Sequence, residues 1–186
     1  MKNKYLEHVL VMLDQIEVKV KDTFSNLSDE QLSWQPNSKT WSIGSGIDHL
    51  VLSNKMYYEV LNAVKTDTQY KGIWTKLPLW NTVWGKILIG SVDPVKNKKT
   101  KTTKDLDNIG HSYTQQIIQD FLDTQDKLKQ LAKELDHLDH EKIVIAFPTI
   151  KSITMKVNVA FEVLWKHEIK HYNQAVRVME SSGFPK

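Results

Sequence analysis

The sequence predicts an all-α fold, a four-helix bundle with a crossover connection, and three observations carry that reading. Apolar residues recur at steps of three and four along four separate stretches, each long enough for a bundle helix. The segment joining the second stretch to the third is too long for a simple up-and-down turn, so the chain is expected to cross over there. Finally, 186 residues with 40% hydrophobic and 25% charged content, only 7 Gly and 5 Pro, suit one domain spanning 1–186 and exclude a fibrous or low-complexity chain.

The first helix is expected over about 4–27. Tyr5, Val9, Met12, Leu13, Ile16, Val20, Phe24 and Leu27 lie on one face of it. Pro36 and Asn37 then interrupt regular structure, with a short capped turn at Ser28-Asp-Glu-Gln-Leu. Ser42 is a good N-cap for a second helix, whose stripe runs through Ile43, Ile47, Leu50, Tyr57, Leu61 and Val64 and is broken by Asn54. The region 66–111 is hard to read. Short helical pieces are expected around Trp80–Ile89, then a mobile loop over 91–110 with a Lys-rich run at 96–104, read either as a solvated loop or as a site for an anionic partner. A third helix spans about 112–135 through Ile117, Phe121, Leu128, Leu131 and Leu135. Ile143, Ile145 and Phe147 alternate, as do Ile153, Met155 and Val157 across Pro148-Thr-Ile-Lys-Ser, which predicts a small β-hairpin. A last helix begins near Asn158 and stops before Gly183-Phe-Pro.

Composition narrows the function. Zero Cys excludes a disulfide framework, a thiolate zinc site and a cysteine nucleophile, and fits a reducing, cytoplasmic setting. A net charge of +3, with Arg177 the single arginine, argues against nucleic acid as a partner. No apolar run reaches the ~20 residues of a membrane span. Glu7, His8 and Asp14 interrupt any signal-peptide pattern, so no leader is expected.

The chemistry concentrates in histidines. His167 and His171 stand one turn apart on the last helix, within the stripe that links Ala160, Leu164, Ala175 and Val178. Two imidazoles in a buried stripe need partners: hydrogen bonds to other side chains would satisfy them, and so would one metal ion. His49 strengthens the second option. Ser45, Gly46 and Ser53 flank it on the same face of the second helix and leave room for an ion and a ligand. Three nitrogens from two helices form the kind of site that keeps a coordination position open. His8, His111, His137 and His140 are weaker candidates, the last two because they look like part of an exposed turn. His167-Glu168-Ile-Lys-His171 also spells H-E-x-x-H, in which Glu168 would act as general base. The longer peptidase motif does not continue, since Gln174 and Arg177 hold the places of its Gly and His, and Glu168 otherwise reads as a solvated charge on the helix exterior.

Two blocks of sequence then combine. Leu27-Ser-Asp-Glu-Gln-Leu-Ser-Trp34-Gln-Pro36, followed by Trp41-Ser42-Ile43 and His49-Leu50, resembles the start of the DinB/YfiT-like superfamily. His167-Glu-Ile-Lys-His171-Tyr-Asn-Gln174 resembles its closing helix. The resemblance implies a crossover bundle that binds a divalent metal through His49, His167 and His171, with Zn or Ni favoured and Fe or Mn as alternatives. It implies a small-molecule substrate, a thiol transferase or hydrolase activity with bacillithiol or mycothiol as a possible co-substrate, and a homodimer. Members often carry Arg and Gly directly after the last histidine; here Tyr172 and Asn173 stand in those places. Trp41, Tyr57 and Trp165 are candidates to line an apolar pocket, or else pack in the core. The competing reading is a non-enzymatic metal-binding bundle of the stress-response kind.

Overall fold

Side-chain pairings set the direction of each helix. The computed structural model describes residues 1–67, 78–95 and 109–186. Its long helices are α1 (Tyr5–Phe24), α3 (Ile43–Asn62), α5 (Gln116–Leu135) and α6 (Val157–Met179), with the short α2 (Asp29–Ser33) and α4 (Pro78–Ser91) between them. The Asp136 carboxylate accepts the backbone N–H groups of Lys2 and Asn3, both at 2.8 Å, at one end of α1. Lys129 pairs with Asp14 and Glu17 midway, and Gln115 donates to the Phe24 carbonyl at the other end. So α1 and α5 are antiparallel. Tyr113 donates to Asp48 (3.1 Å) and Asn54 to Thr124 (3.3 Å), which makes α3 parallel to α5. His8 meets Trp165 edge-on and Thr23 bonds Tyr172, so α1 and α6 are parallel. It follows that α3 and α6 are antiparallel.

Two consecutive bundle helices pointing the same way require a crossover, and α4 lies within it. That helix packs on β2 and α6, where the Thr154 hydroxyl donates to Asn81 and Gly85 approaches Val159. Helix α4 confirms the expected helical piece near Trp80 and extends it back to Pro78, at the helix start where its missing N–H costs nothing. The Lys-rich run 96–104, and most of the loop expected over 91–110, lie outside the described residues.

Capping follows the sequence closely. Ser28 and Gln31 form a reciprocal capping box on α2, and Ser42 accepts from the Ser45 N–H at 3.0 Å to start α3. The hairpin pairs β1 (Val144–Ala146) with β2 (Thr154–Lys156), antiparallel, in the register Val144↔Lys156, Ile145↔Met155 and Ala146↔Thr154. Val157 follows directly as the first residue of α6. The alternation of Val159, Phe161 and Val163 therefore belongs to a helix that is apolar on more than one side, with Phe161 and Val163 both buried.

Two expectations need correction. Helix α5 begins at Gln116, not near residue 112. Tyr113 is tied to α2 instead, its N–H donating to Ser33 Oγ at 2.8 Å and its carbonyl accepting from the same hydroxyl. His140 is not in an exposed turn but is fully buried. Its Nε2 faces the Leu135 carbonyl at 2.8 Å and its Nδ1 faces the Tyr5 hydroxyl at 2.5 Å. A carbonyl only accepts, so Nε2 carries the proton and Nδ1 accepts from Tyr5. Burial holds the His140 pKa below its ordinary value, against the opposing pull of the Leu135 carbonyl.

Two outcomes follow from this packing. A Cβ on Gly44 would stand 2.4 Å from the Tyr113 ring, so Gly44→Ala must displace that ring. The cost expected for such overpacking is about 1–3 kcal/mol, read as a lower chemical-denaturation midpoint. His140 binds its proton more weakly folded than unfolded. Its contribution is therefore complete above the unfolded pKa of about 6.5 and declines as pH falls below it. Comparing metal-free wild type with His140→Gln, the stability difference should shrink between about pH 7 and pH 5; a constant difference would contradict the buried neutral imidazole.

Candidate metal centre

Helix α3 owes its inner face near the site to small residues. Ser45, Gly46 and Ser53 surround His49, which is only 5% exposed. A Cβ built on Gly46 meets nothing within 4 Å, so there is open space one turn from the imidazole. Helix α6 runs antiparallel opposite and presents His167 and His171 one turn apart. All three predicted ligands come together. One nitrogen from each lies within 4.8 Å of the others, and His49 Nε2 is 3.1 Å from His167 Nε2. Ring centroids are 5.0 Å apart for His49 and His167, 4.6 Å for His49 and His171, and 4.5 Å for His167 and His171.

Do these residues fit a metal ion? Tetrahedral zinc with bonds of about 2.0–2.1 Å to nitrogen sets its ligands about 3.3 Å apart. The His49–His167 pair, at 3.1 Å, is close to that spacing. His171 Nδ1 is buried with no hydrogen-bond partner among the described residues. Leaving such an atom unsatisfied costs about 1–3 kcal/mol. Burial lowers the pKa of His167 well below its usual value, followed by the charges of His49 and Lys170. His171 is lowered in the same way by burial and then by its two neighbouring imidazoles and Lys170, against the opposing pull of Gln174. Neutral imidazole is the ligating form, so the donor set fits a divalent ion.

Trp41 covers the cluster. Its ring stacks on His171 at 5.6 Å and tilts against His49 at 4.9 Å. Of the aromatic candidates it alone has ring contacts with these histidines among those described; Tyr57 packs on Phe147 and Trp165 on His8. Tyr172, directly after the last histidine, turns to α1, where its hydroxyl bonds Thr23 Oγ1 at 3.0 Å and its ring lies against Phe24. Lys170 sits between the two α6 histidines in sequence and donates to the Ser91 carbonyl at 2.9 Å, which ties the end of α4 to this part of α6. Burial lowers the Lys170 pKa. His8, His111 and His137 are exposed and stand apart from the cluster.

Glu168 is not the solvated charge that its helix position suggested. It is 0% exposed. Its Oε1 accepts from Asn54 Nδ2 at 2.8 Å and its Oε2 from Gln125 Nε2 at 2.7 Å. Burial raises its pKa to about 8, while the two amide bonds pull the other way. Asn54 and Gln125 were not among the sequence candidates. Their signal was present, however: Asn54 interrupts the apolar stripe of α3, and Gln125 lies between Phe121 and Leu128 on the buried face of α5. A polar side chain on an apolar stripe requires a buried partner.

No curated protein and no solved structure matches the chain. The family model described as the DinB superfamily matches residues 12–175, a span that begins within α1 and ends beyond His171. The chain belongs to the DinB superfamily.

Proposed function

We propose that this protein is a divalent-metal-dependent enzyme acting on a small molecule, by thiol transfer or by hydrolysis. The observation that carries the reading is the convergence of His49, His167 and His171, each offering one nitrogen within 4.8 Å of the others. Three protein ligands are typical of catalytic sites, where a further position is kept for substrate, whereas structural sites close with four. A bound divalent ion would supply Lewis acidity, polarising a substrate carbonyl or making a water or thiol acidic near neutral pH. Zn or Ni suits three imidazoles best, and Fe or Mn is also compatible.

The chain's own residues have definable tasks in this reading. The imidazoles hold the ion in their neutral form. Trp41, 8% exposed, shields the cluster and offers an apolar wall for substrate. The space beside Gly46 admits a ligand next to His49. Tyr172 faces α1, which favours a reaction that needs no guanidinium at that position. The peptidase-like alternative has Glu168 as base; the engagement of both carboxyl oxygens by Asn54 and Gln125 weighs against it.

A second reading, a metal-binding bundle without catalysis, is favoured by one observation: His49 is buried beneath Trp41. The two differ in access. An ion in an open site takes up azide, imidazole or a thiol and shifts its spectrum, and a closed one does not.

The expected result is one divalent ion per chain in protein purified without a tag. Adding Zn(II) at about 100 times its Kd should stabilise the stripped protein by about 2.7 kcal/mol. His49→Ala should lose both the ion and that stabilisation; unchanged metal content in this variant would show the site to be misassigned. Loaded protein, and not stripped protein, should turn over a member of a panel of esters, amides and electrophile–thiol pairs. Inactivity across that panel, with azide excluded, would favour the non-catalytic bundle.

A further inference from the structure

We propose that Glu168 is a positioning residue: its buried carboxyl group, clamped by Asn54 and Gln125, locks the rotation of α6 so that His167 and His171 face His49. The inference rests on the metal-centre reading above and adds residues that reading does not use.

The argument begins with helix geometry. At about 100° per residue, Glu168 lies about 100° round α6 from His167 and about 60° from His171. It shares the inner half of the helix with both ligands but points to a different neighbour. Asn54 Nδ2 reaches it from α3, five residues after His49, and Gln125 Nε2 reaches it from α5. The two helices that supply the histidines are therefore joined a second time, by a hydrogen bond of 2.8 Å, and α5 adds a third support.

Rotational precision matters here. A side-chain tip stands about 5–6 Å from a helix axis, so a turn of about 10° moves it by about 1 Å. Metal–nitrogen distances tolerate only about 0.2 Å. Apolar packing alone allows adjustments of that size, because a rotated helix exchanges one apolar contact for another. A carboxyl group with fixed donors does not, since rotation would break both bonds inside the core.

The donors are themselves directed. Thr124 Oγ1 gives its hydrogen to the Phe121 carbonyl at 2.7 Å, so it can only accept from Asn54 Nδ2. The Asn54 amide thus presents its NH2 to Thr124 and Glu168 together, and cannot turn over without losing both. Gln125 is less constrained, because its Oε1 is buried without a hydrogen-bond partner among the described residues. A buried polar network is rarely the most stabilising choice, since replacing all its members together by well-packed apolar residues is often neutral or better for stability. Its presence is accounted for by arrangement.

The test separates arrangement from stability. Zn(II) affinity is measured by chelator competition on the full chain, beside the unfolding midpoint of the metal-free protein and the visible bands of the Co(II) form. Glu168→Leu leaves the Asn54 and Gln125 amides without their buried acceptor, so its metal-free midpoint should fall, but the folded protein should bind Zn(II) about 10- to 100-fold more weakly, with altered Co(II) bands. Glu168→Gln should stay within about threefold of wild type, because Gln125 can turn to offer its oxygen while Asn54 keeps its orientation. A folded Glu168→Leu with wild-type affinity and bands overturns the positioning role. If Glu168→Leu does not fold, Gln125→Met removes one donor and is judged by the same two outcomes. If wild-type protein binds no Zn(II), or binds it unchanged in His49→Ala, the metal reading itself fails, and the positioning role falls with it.

Discussion

Nitrogen buried between two apolar helix faces is the constraint around which this bundle is arranged. His49 on α3 is buried and His167 and His171 on α6 are half-buried, and desolvation lowers the pKa of the last two so that they stay neutral. Neutral imidazoles still need partners. They find part of what they need in each other, at 3.1 Å between His49 and His167, and a divalent ion would complete it. The small residues around His49, the Trp41 ring over the cluster and the antiparallel run of α3 against α6 all serve that one meeting point.

Around it the bundle carries a second layer of buried polarity, directional at Asn54 and Thr124. Asn54, Thr124, Gln125 and Glu168 connect three helices in one network. Further out, His140 is held by Tyr5 and Leu135, and the Lys2 and Asn3 amides close on Asp136 where α1 meets the end of α5. The network and His140 lie inside an apolar surround, the Asp136 contact stands at the surface, and each is built from specific donors and acceptors. Such contacts add little net stability, but they exclude alternative packings of four similar amphipathic helices.

How much of this was legible follows from the range of the interactions. The helices were readable because a 3.6-residue period is local, and Ser28 and Ser42 mark their starts with capping chemistry contained in four residues. The hairpin was readable from alternation over a few residues on each side. The three ligands were readable because two share a helix turn and the third stands among conspicuously small residues. What escaped depends on contacts across the bundle. The late start of α5 reflects the hold of Ser33 on Tyr113, 80 residues away. The burial of His140 depends on Tyr5, 135 residues away, and that of Glu168 on Asn54 and Gln125, 114 and 43 residues away. No local pattern encodes those distances, although a polar residue on an apolar stripe does announce that a partner exists.

The claim on which the account turns is that the three imidazoles share one ion. Crystals of untagged protein, measured on either side of the absorption edge of the metal found in them, test it most directly. The account predicts a single strong anomalous peak at bonding distance from one nitrogen each of His49, His167 and His171, with a coordination position not filled by protein. Well-ordered crystals with no such peak, the three rings hydrogen-bonded only to one another, would contradict it.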